Sequence, residues 1–364
     1  MLAPPQLPDF PWDSLGAARE VAVRHPDRIV DLSVGTPVDA TPELVQTALR
    51  AAAEAPGYPT THGSAALRDT IADWLHRRRR VAIDPEAILP VIGTKEMVAW
   101  LPTLLGATSL VGFPELAYPT YEVGAILAGA RSARGDSTVG WGPSAPQVLW
   151  LNSPANPTGA VLPVAHLRKV VRWARARDTI VVSDECYAEL EWNEPAPSLL
   201  SGEVCDHDHT GLLVLHSLSK RSNMAGYRFG FLAGDADLVA KVLAIRKHAG
   251  MMVPAPVQAA AAAAYADDQH VEIQRQRYRR RRDVLVQALV RAGFQIDHSE
   301  AGLYLWATEG RPARQTVARL ADIGVLCAPG EFYGPAGAQH VRIALTATDE
   351  RVAAAAARLA GYPQ

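Results

Sequence analysis

Lysine is scarce in this sequence. Of its 36 basic residues only five are lysine, at positions 95, 169, 220, 241 and 247, and the others are arginine. A guanidinium carries a permanent charge but forms no Schiff base, whereas the ε-amine of lysine does. Each lysine is therefore a candidate for a role that needs an amine and not only a charge.

Cysteine and net charge are also low. The three cysteines, Cys186, Cys205 and Cys327, are widely separated and odd in number. They show no metal-ligand spacing and fit a reducing compartment, so we expect a cytoplasmic protein without a metal site. The formal net charge is −2 over 364 residues, which gives no reason to expect a nucleic-acid partner.

Long apolar runs and nucleotide-binding motifs are missing as well. No apolar stretch is long enough to cross a bilayer, and the opening MLAPPQLPDFPWDSL lacks the features of a signal peptide. We therefore expect no membrane partner. Neither GxGxxG nor a P-loop sequence occurs, so dinucleotide and nucleoside-triphosphate sites lack their usual motif. The arginine runs Arg77–Arg80 and Arg279–Arg282 are predicted to be solvated helix faces.

What is present is an alternation of short apolar runs with amphipathic stretches such as Val164–Arg177. This alternation predicts an α/β lobe with a mostly parallel sheet. The candidate strands are Ile88–Val91, Leu110–Phe113, Val148–Leu151, Ile180–Ser183, Leu212–Leu215 and Arg228–Leu232.

The C-terminal part has a different pattern. Gln269–Ala292 is predicted as one long helix, followed by strands near Leu303–Ala307 and Val341–Leu345. We expect a smaller α+β domain formed by residues 1–38 together with 270–364. Residues 39–269 then form the large domain.

Lys220 lies in the most informative segment, LLVLHSLSKRSNMAGYRFG. A buried strand runs into SLSK, and Arg228 follows in the glycine-flanked GYRFG. Ligands bind beyond the carboxyl ends of strands in open α/β sheets, so Lys220 is placed to form a Schiff base with an aldehyde cofactor. Ser217 and Arg228 could hold that cofactor's phosphate. SLSK alone would be read as a capped turn with a solvated lysine.

Three further segments place polar residues after strands. In IVVSDECYAEL, Asp184 could keep a pyridine nitrogen protonated and Tyr187 could bind a phenolic oxygen, although Asp184 is equally suited to cap a helix. In NPTG, Asn156 could share that oxygen with Tyr187. In VIGTKEM, the turn Gly93-Thr94-Lys95 opens a helix whose N–H groups suit a phosphate.

These segments, in this order and spacing, resemble the class I pyridoxal-phosphate aminotransferases of fold type I. The resemblance implies a mostly parallel, seven-stranded type of sheet between helices, and pyridoxal 5′-phosphate as cofactor. It implies catalytic roles for Lys220, Asp184 and Tyr187. The cofactor contacts it implies are Gly93, Thr94, Lys95, Tyr118 (stacked on the ring), Asn156, Asp184, Tyr187, Ser217, Ser219, Lys220, Arg228 and, from the neighbouring subunit of a homodimer, Tyr58.

For the substrate, the resemblance implies contacts from Gly35, Asn156 and Arg342, with Arg342 holding the α-carboxylate. The strings LPDFPWDSL, VIGTKEMVAWLPTLLG and SLSKRSNMAGYRFGFLAGD are most similar to the actinobacterial succinyldiaminopimelate aminotransferases. Ping-pong transfer between glutamate and N-succinyl-2-amino-6-oxopimelate, in lysine and diaminopimelate biosynthesis, follows from that similarity.

A second cation for the distal carboxylates is left open between Lys95 and Arg221. Another class I aminotransferase, for aspartate, aromatic or branched oxo-acids, is the nearest alternative. A C–S lyase on the same fold is the next. A transcription regulator would need a DNA-binding domain, and we expect none in the roughly thirty residues before LSVGTP.

Overall fold

The structure is a computed structural model that describes residues 5–138, 140–141 and 145–363. The strands of this part of the chain are β1 Val30–Asp31, β2 Ile88–Val91, β3 Leu110–Phe113, β4 Arg131–Arg134, β5 Val148–Asn152, β6 Ile180–Asp184, β7 Leu212–Ser217, β8 Gly230–Gly234, β9 Gln295–Asp297, β10 Tyr304–Thr308, β11 Val325–Leu326, β12 Ala328–Pro329 and β13 Val341–Ala344.

The α-helices of the same part are α1 Gly16–Val23, α2 Glu43–Ala51, α3 Ala65–Arg79, α4 Thr94–Leu104, α5 Thr120–Leu127, α6 Val164–Arg175, α7 Gly202–Cys205, α8 Leu218–Arg221, α9 Ala236–Ala249, α10 Ala255–Ala266, α11 Gln269–Arg291, α12 Ala313–Asp322 and α13 Asp349–Leu359. Short 3₁₀ turns are formed by Pro11–Leu15, Pro85–Ala87, Ala225–Tyr227, Gly330–Tyr333 and Pro335–Gly337.

A seven-stranded sheet organises the large lobe, in the order β2-β8-β7-β6-β5-β3-β4. Strand β8 is antiparallel to both of its neighbours, and the other pairings are parallel. The predicted fold class is therefore confirmed. Strand β8 starts at Gly230 and not at Arg228 as predicted, because Arg228 has left-handed backbone with φ 55°. Strand β4 was not predicted, since its sequence RSAR is exposed at the sheet edge and carries no apolar pattern.

Both faces of this sheet are covered by helices. In β5, Leu149 and Leu151 join the core beneath α2, α3, α6 and α10. Val148 and Trp150 point the other way, into the core beneath α4, α5 and α9. Strands buried on both faces read as continuous apolar runs, which is why they stood out in the sequence.

The small lobe has its own sheet and core. Strands β12-β13-β10-β9 form an antiparallel sheet against α11 and α13. The predicted long helix is confirmed as α11. The N-terminal segment returns here, since β1 pairs with β11 and α1 packs on α12. The domain boundaries at 38/39 and 269/270 stay predictions.

The arginine runs were predicted as solvated faces, and for two members that prediction is wrong. Arg79 is buried, with its guanidinium 3.4 Å from Glu191 and donating to the carbonyl of Ala196. Arg281 is buried as well, against Asp39. The helical pattern identified the helices, but it did not reveal which distant carboxylates would cover them.

Asp39, in the segment between β1 and α2, pairs with Arg281 of α11. Arg281 donates to both carboxylate oxygens of Asp39 at 2.7 and 2.8 Å, and to Asp349 at 2.6 Å. Gln274 also donates to Asp39, at 2.8 Å. Burial would raise the pKa of Asp39, but these hydrogen bonds and the Arg281 charge hold it below the ordinary 3.8.

No helix within the described ranges combines the length and apolar character needed to cross a membrane.

Asp39→Asn should lower the free energy of unfolding by about 3 kcal/mol, because it leaves buried Arg281 with the exposed Asp349 as its remaining charged partner. The control is Asp283→Asn, which removes the partner of Arg282 at the surface and should cost less than about 1 kcal/mol. Urea unfolding at neutral pH measures both. The pKa of Asp39 is lowered in the folded state, so its contribution is complete above pH 3.8 and is lost as the pH falls through the lowered value. Equal losses in the two variants would contradict the role given to this pair.

Candidate active site

A cavity of about 470 Å³ opens where β5, β6 and β7 end, between the sheet and the small lobe. Its lining combines the carboxyl-end residues of these strands with side chains of the small lobe. The lining residues are Phe10, Trp12, Arg19, Val34, Gly35, Thr36, Thr94, Lys95, Val98, Tyr118, Asn152, Asn156, Asp184, Cys186, Tyr187, Ser217, Ser219, Lys220, Ala225, Arg228, Tyr304 and Arg342.

The structure brings all the predicted site residues to this cavity except Gly93 and Tyr58. Gly93 lies directly behind it: a Cβ there would be 2.5 Å from Nη2 of Arg228, and φ is +74°. Tyr58 is 97% exposed and does not line the cavity of its own chain.

Lys220 enters the cavity from α8, the short helix that follows β7 directly. The Ser217 hydroxyl accepts the Ser219 N–H at 3.0 Å, which fixes the turn from strand to helix. The Lys220 ammonium donates to the carbonyl oxygen of Gly35. The amine is therefore held in the cavity by the backbone of the segment between β1 and α2, to which Gly35 belongs.

Groups that were predicted to bind a phosphate line this cavity together. Helix α4 begins at Thr94, so its first N–H groups are free to meet an anion. The Ser217 oxygen accepts from Ser219, which leaves its own O–H free to donate. One Arg228 nitrogen bonds the Ala225 carbonyl at 2.9 Å and the other donors remain. Gly230 packs tightly against the neighbouring strand, since a Cβ there would be 2.8 Å from the His216 carbonyl oxygen.

Asp184, the last residue of β6, lines the same cavity. It is 5% exposed, and burial raises its pKa, while hydrogen bonds from Cys186 and from Tyr121 (3.0 Å) oppose that rise. The helix-cap alternative is wrong, because turns and not a helix follow Asp184. A buried carboxylate of this kind is stabilised by a cation, which a protonated pyridine nitrogen supplies. The residues present therefore fit pyridoxal 5′-phosphate at both of its ends.

Arg342 lies on the small-lobe wall, 2% exposed. It donates to the side-chain oxygen of Asn156 at 3.0 Å and to the Ser33 carbonyl at 2.8 Å. Asn156 is itself fixed by Asn152, whose oxygen accepts its N–H at 2.7 Å. Each terminal guanidinium nitrogen keeps a second hydrogen, so the group still presents two donors to a carboxylate.

Two tyrosines border the cofactor position. Burial raises the pKa of Tyr118 to about 12 and that of Tyr187 well above its ordinary value, so both hydroxyls stay protonated at neutral pH. The Tyr187 hydroxyl lies 3.2 Å from the Tyr304 hydroxyl.

The sequence left Lys95 and Arg221 as candidates for the contact to the distal carboxylates, and the structure places them in different environments. Arg221 is buried behind the cavity, 2.7 Å from Glu189 and 5.1 Å from the Trp74 ring centre, so it cannot contact a substrate there. Lys95 is exposed and lines the cavity, with its ammonium 5.5 Å from the Phe10 ring centre.

Sequence reasoning missed several contributors. Tyr121 lies one helical turn after Tyr118 in PELAYPTY, a spacing that could have drawn attention to it. Phe10 and Trp12 were given no role beyond their place in the string LPDFPWDSL, yet they line the cavity. Tyr304 occurs in the apolar strand LYLWA, where nothing distinguishes it from a core residue.

Comparison with known proteins agrees with this geometry. The model of the family described as aminotransferase class I and II matches residues 27–359. A probable aminotransferase of Mycobacterium tuberculosis is 61% identical, over 97% of this chain and 85% of that protein. The 4-dedimethylamino-4-oxo-anhydrotetracycline transaminase OxyQ of Streptomyces rimosus is 56% identical, over 97% and 99%. The LL-diaminopimelate aminotransferase of Aquifex aeolicus is 32% identical, over 97% and 96%.

A solved structure supports the same assignment. The aminotransferase AspB of Helicobacter pylori superposes with a TM-score of 0.89 at 26% identity, over 98% of this chain and 99% of that one. The predicted cofactor is confirmed by the family and its fold. The chain therefore belongs to the class I and II aminotransferases, enzymes that depend on pyridoxal 5′-phosphate.

Proposed function

We propose that this aminotransferase moves an amino group between glutamate and N-succinyl-2-amino-6-oxopimelate, a step of diaminopimelate and lysine biosynthesis. The observation that carries the proposal is a pair of cations in one cavity, Arg342 buried on its wall and Lys95 exposed within it. Among the described residues Lys95 makes no ion pair. A substrate with a carboxylate at the reacting carbon and others farther away fits such a pair. The diaminopimelate substrate named for the Aquifex aeolicus relative also supports this choice.

Each residue of the cavity has a separate role in the proposed reaction. The bound cofactor supplies an electron sink for charge that develops at the substrate's α-carbon. Lys220 Nζ removes the α-proton and returns a proton during the transfer. Asp184 keeps the pyridine nitrogen protonated, and Tyr187 and Asn156 bind the phenolic oxygen. Arg342 holds the α-carboxylate of glutamate in the first half-reaction and that of the oxo-acid in the second.

One alternative has an observation in its favour. The OxyQ relative, at 56% identity, is named for a tetracycline-type oxo substrate. The Phe10 and Trp12 rings, 5.4 Å apart at the cavity, would suit such a fused-ring compound. Aspartate, aromatic and branched oxo-acids, and C–S lyase chemistry, are tested by the same substrate panel.

We also infer a cytoplasmic location. Cys186, Cys205 and Cys327 are all free thiols. A reducing compartment keeps thiols in that state.

Glutamate should be the preferred donor, with the succinylated oxo-acid giving the highest kcat/KM in a coupled assay that also includes pyruvate, oxaloacetate and aromatic oxo-acids. Lys95→Met should lower kcat/KM for the succinylated compound about tenfold and change that for pyruvate little, because one exposed charge-assisted contact is lost. Lys169→Met on α6, an exposed lysine outside the cavity, is the control.

Two results would count against this proposal. Failure of the wild-type enzyme to turn over the succinylated compound would exclude the substrate. Equal losses with pyruvate would remove Lys95 from the distal contact.

Lys220→Ala should abolish covalent attachment of the cofactor, because no other amine among the described residues is held at the end of β7. Borohydride reduction of the wild-type holoenzyme followed by peptide mapping should label Lys220. Lys95→Met should keep the label at Lys220. Label on Lys95 or Lys247 in the wild type would overturn the assignment.

We further propose that the enzyme is a homodimer in which Tyr58 reaches the partner's cofactor phosphate. Tyr58 is almost fully exposed in this chain. Trp100 and Ile245 are also partly exposed, at 38% and 45%. A partner subunit would give these side chains apolar contacts.

Mixing Lys220→Ala with Tyr58→Ala subunits tests that arrangement. If Tyr58 acts in trans, each mixed dimer has one site with both lesions and one intact site. Activity should then recover to about a quarter of wild type, since half of randomly mixed dimers are heterodimers. Each variant alone is the control. Absence of recovery after verified subunit exchange would show that Tyr58 acts within its own chain and not at the partner's site.

A further inference from the structure

Tyr304 contacts three parts of the active site at once. It begins β10, is 4% exposed, and its hydroxyl lies 3.2 Å from that of Tyr187. The guanidinium carbon of Arg342 lies 3.8 Å from its ring centre. Gly35 approaches so closely that a Cβ there would be 2.1 Å from the Tyr304 oxygen. The Tyr304 ring is therefore confined between Arg342, Tyr187 and the backbone at Gly35.

Hydrogen counting fixes the direction of the bond between the two tyrosines. A phenol has one hydrogen to donate. Either hydroxyl of the pair can be the donor when the two are taken alone. When Tyr187 gives its hydrogen to the phenolic oxygen of the cofactor, its own oxygen has to accept from Tyr304. The order of donation is then Tyr304 to Tyr187 to cofactor, and such chains strengthen each member.

Arg342 acts on the same pair through the Tyr304 ring. Its positive charge lies over the ring face, where a cation is attracted to the π-electrons. Burial raises the pKa of Tyr187 and the Arg342 charge opposes that rise, so the charge is felt at the Tyr187 hydroxyl. A carboxylate bound to Arg342 offsets that charge. Carboxylate binding and the hydrogen bond to the cofactor are therefore not independent.

We propose that Tyr304 is a positioning residue that orients Tyr187 toward the cofactor's phenolic oxygen and transmits carboxylate binding at Arg342 to that hydrogen bond. This link is separate from the direct hydrogen bond between Arg342 and Asn156. It depends on the cofactor class of the enzyme and on the predicted role of Tyr187, and not on the proposed substrate.

The direction in which Tyr304→Phe should shift the pH midpoint follows from the loss of the Tyr304 hydrogen-bond donor. A hydrogen-bond donor withdraws negative charge from the phenolic oxygen. In Tyr304→Phe the Tyr187 donor is weaker, so more negative charge remains and a proton nearby on the cofactor is held to higher pH. The midpoint of the pH-dependent visible absorption band should move upward by about 0.5 unit, corresponding to part of one hydrogen bond.

The experiment is a pH titration of the visible band of the holoenzyme, with and without succinate. Succinate has carboxylates for Arg342 but no amino or oxo group, so it cannot react. In the wild type, succinate should shift the midpoint. In Tyr304→Phe the starting midpoint should be higher and the succinate-induced shift about half as large, because only the Asn156 link remains.

Tyr333→Phe is the matched control. Its ring also lies against Arg342, 5.0 Å from the guanidinium carbon, and its buried hydroxyl has no hydrogen-bond partner among the described residues. Removing that hydroxyl should leave both the midpoint and the succinate shift unchanged. Thermal unfolding and succinate affinity of the two variants report whether fold and Arg342 are intact.

A double-variant comparison completes the test. In Tyr187→Phe, adding Tyr304→Phe should produce no further change in the midpoint, because the link has already been cut. The proposal is overturned if Tyr304→Phe titrates like the wild type, if Tyr333→Phe shifts the midpoint equally, or if the two tyrosine effects add. None of these measurements requires the succinylated substrate, so their outcome is separate from that of the proposed function.

Discussion

The parallel register of β5, β6 and β7 decides where chemistry can occur in this molecule. Asn152 pairs with Asp184 across β5 and β6, and both lie at the last residue of their strands. The Asn152 amide donates to the Asp184 carbonyl at 2.8 Å, which ties the two strand ends together. Strand β7 continues to Ser217, from which Lys220 follows within one turn. The residues predicted to bind the cofactor are thus placed by backbone hydrogen bonds that the apolar cores on both sheet faces protect from water.

Arginine side chains make several of the hydrogen bonds that join the two lobes. Arg281 of α11 binds Asp39, which lies between β1 and α2, and Arg134 donates to the carbonyls of Glu115 and Tyr333 at 3.1 and 2.9 Å, one on each lobe. The planar guanidinium has five donors, so one side chain satisfies several acceptors that the lobe interface buries. The abundance of arginine in this chain therefore has structural uses.

The sequence predicted those parts of the site in which local pattern and position coincide. Lys220 and Asp184 each follow an apolar strand, so their place at the sheet's carboxyl edge could be inferred without a structure. Tyr304 could not be found this way, because its role depends on three residues that are distant in the chain. Arg79 and Arg281 were misjudged for a related reason: helical periodicity identifies a face, but not the buried carboxylate that meets it. Arg221 was likewise near Lys220 in sequence and yet points away from the cavity.

The two lobes contribute to the cavity in different ways, and this has a kinetic consequence. Thr94, Ser217, Ser219 and Arg228, which are predicted to bind the phosphate, all come from the seven-stranded lobe. Arg342 and Tyr304 come from the antiparallel sheet of the other lobe, and Phe10 from the N-terminal arm. A rotation of one lobe against the other would therefore change the predicted carboxylate contacts and leave the predicted phosphate contacts in place. Small-molecule substrates would then exchange while the cofactor stays bound.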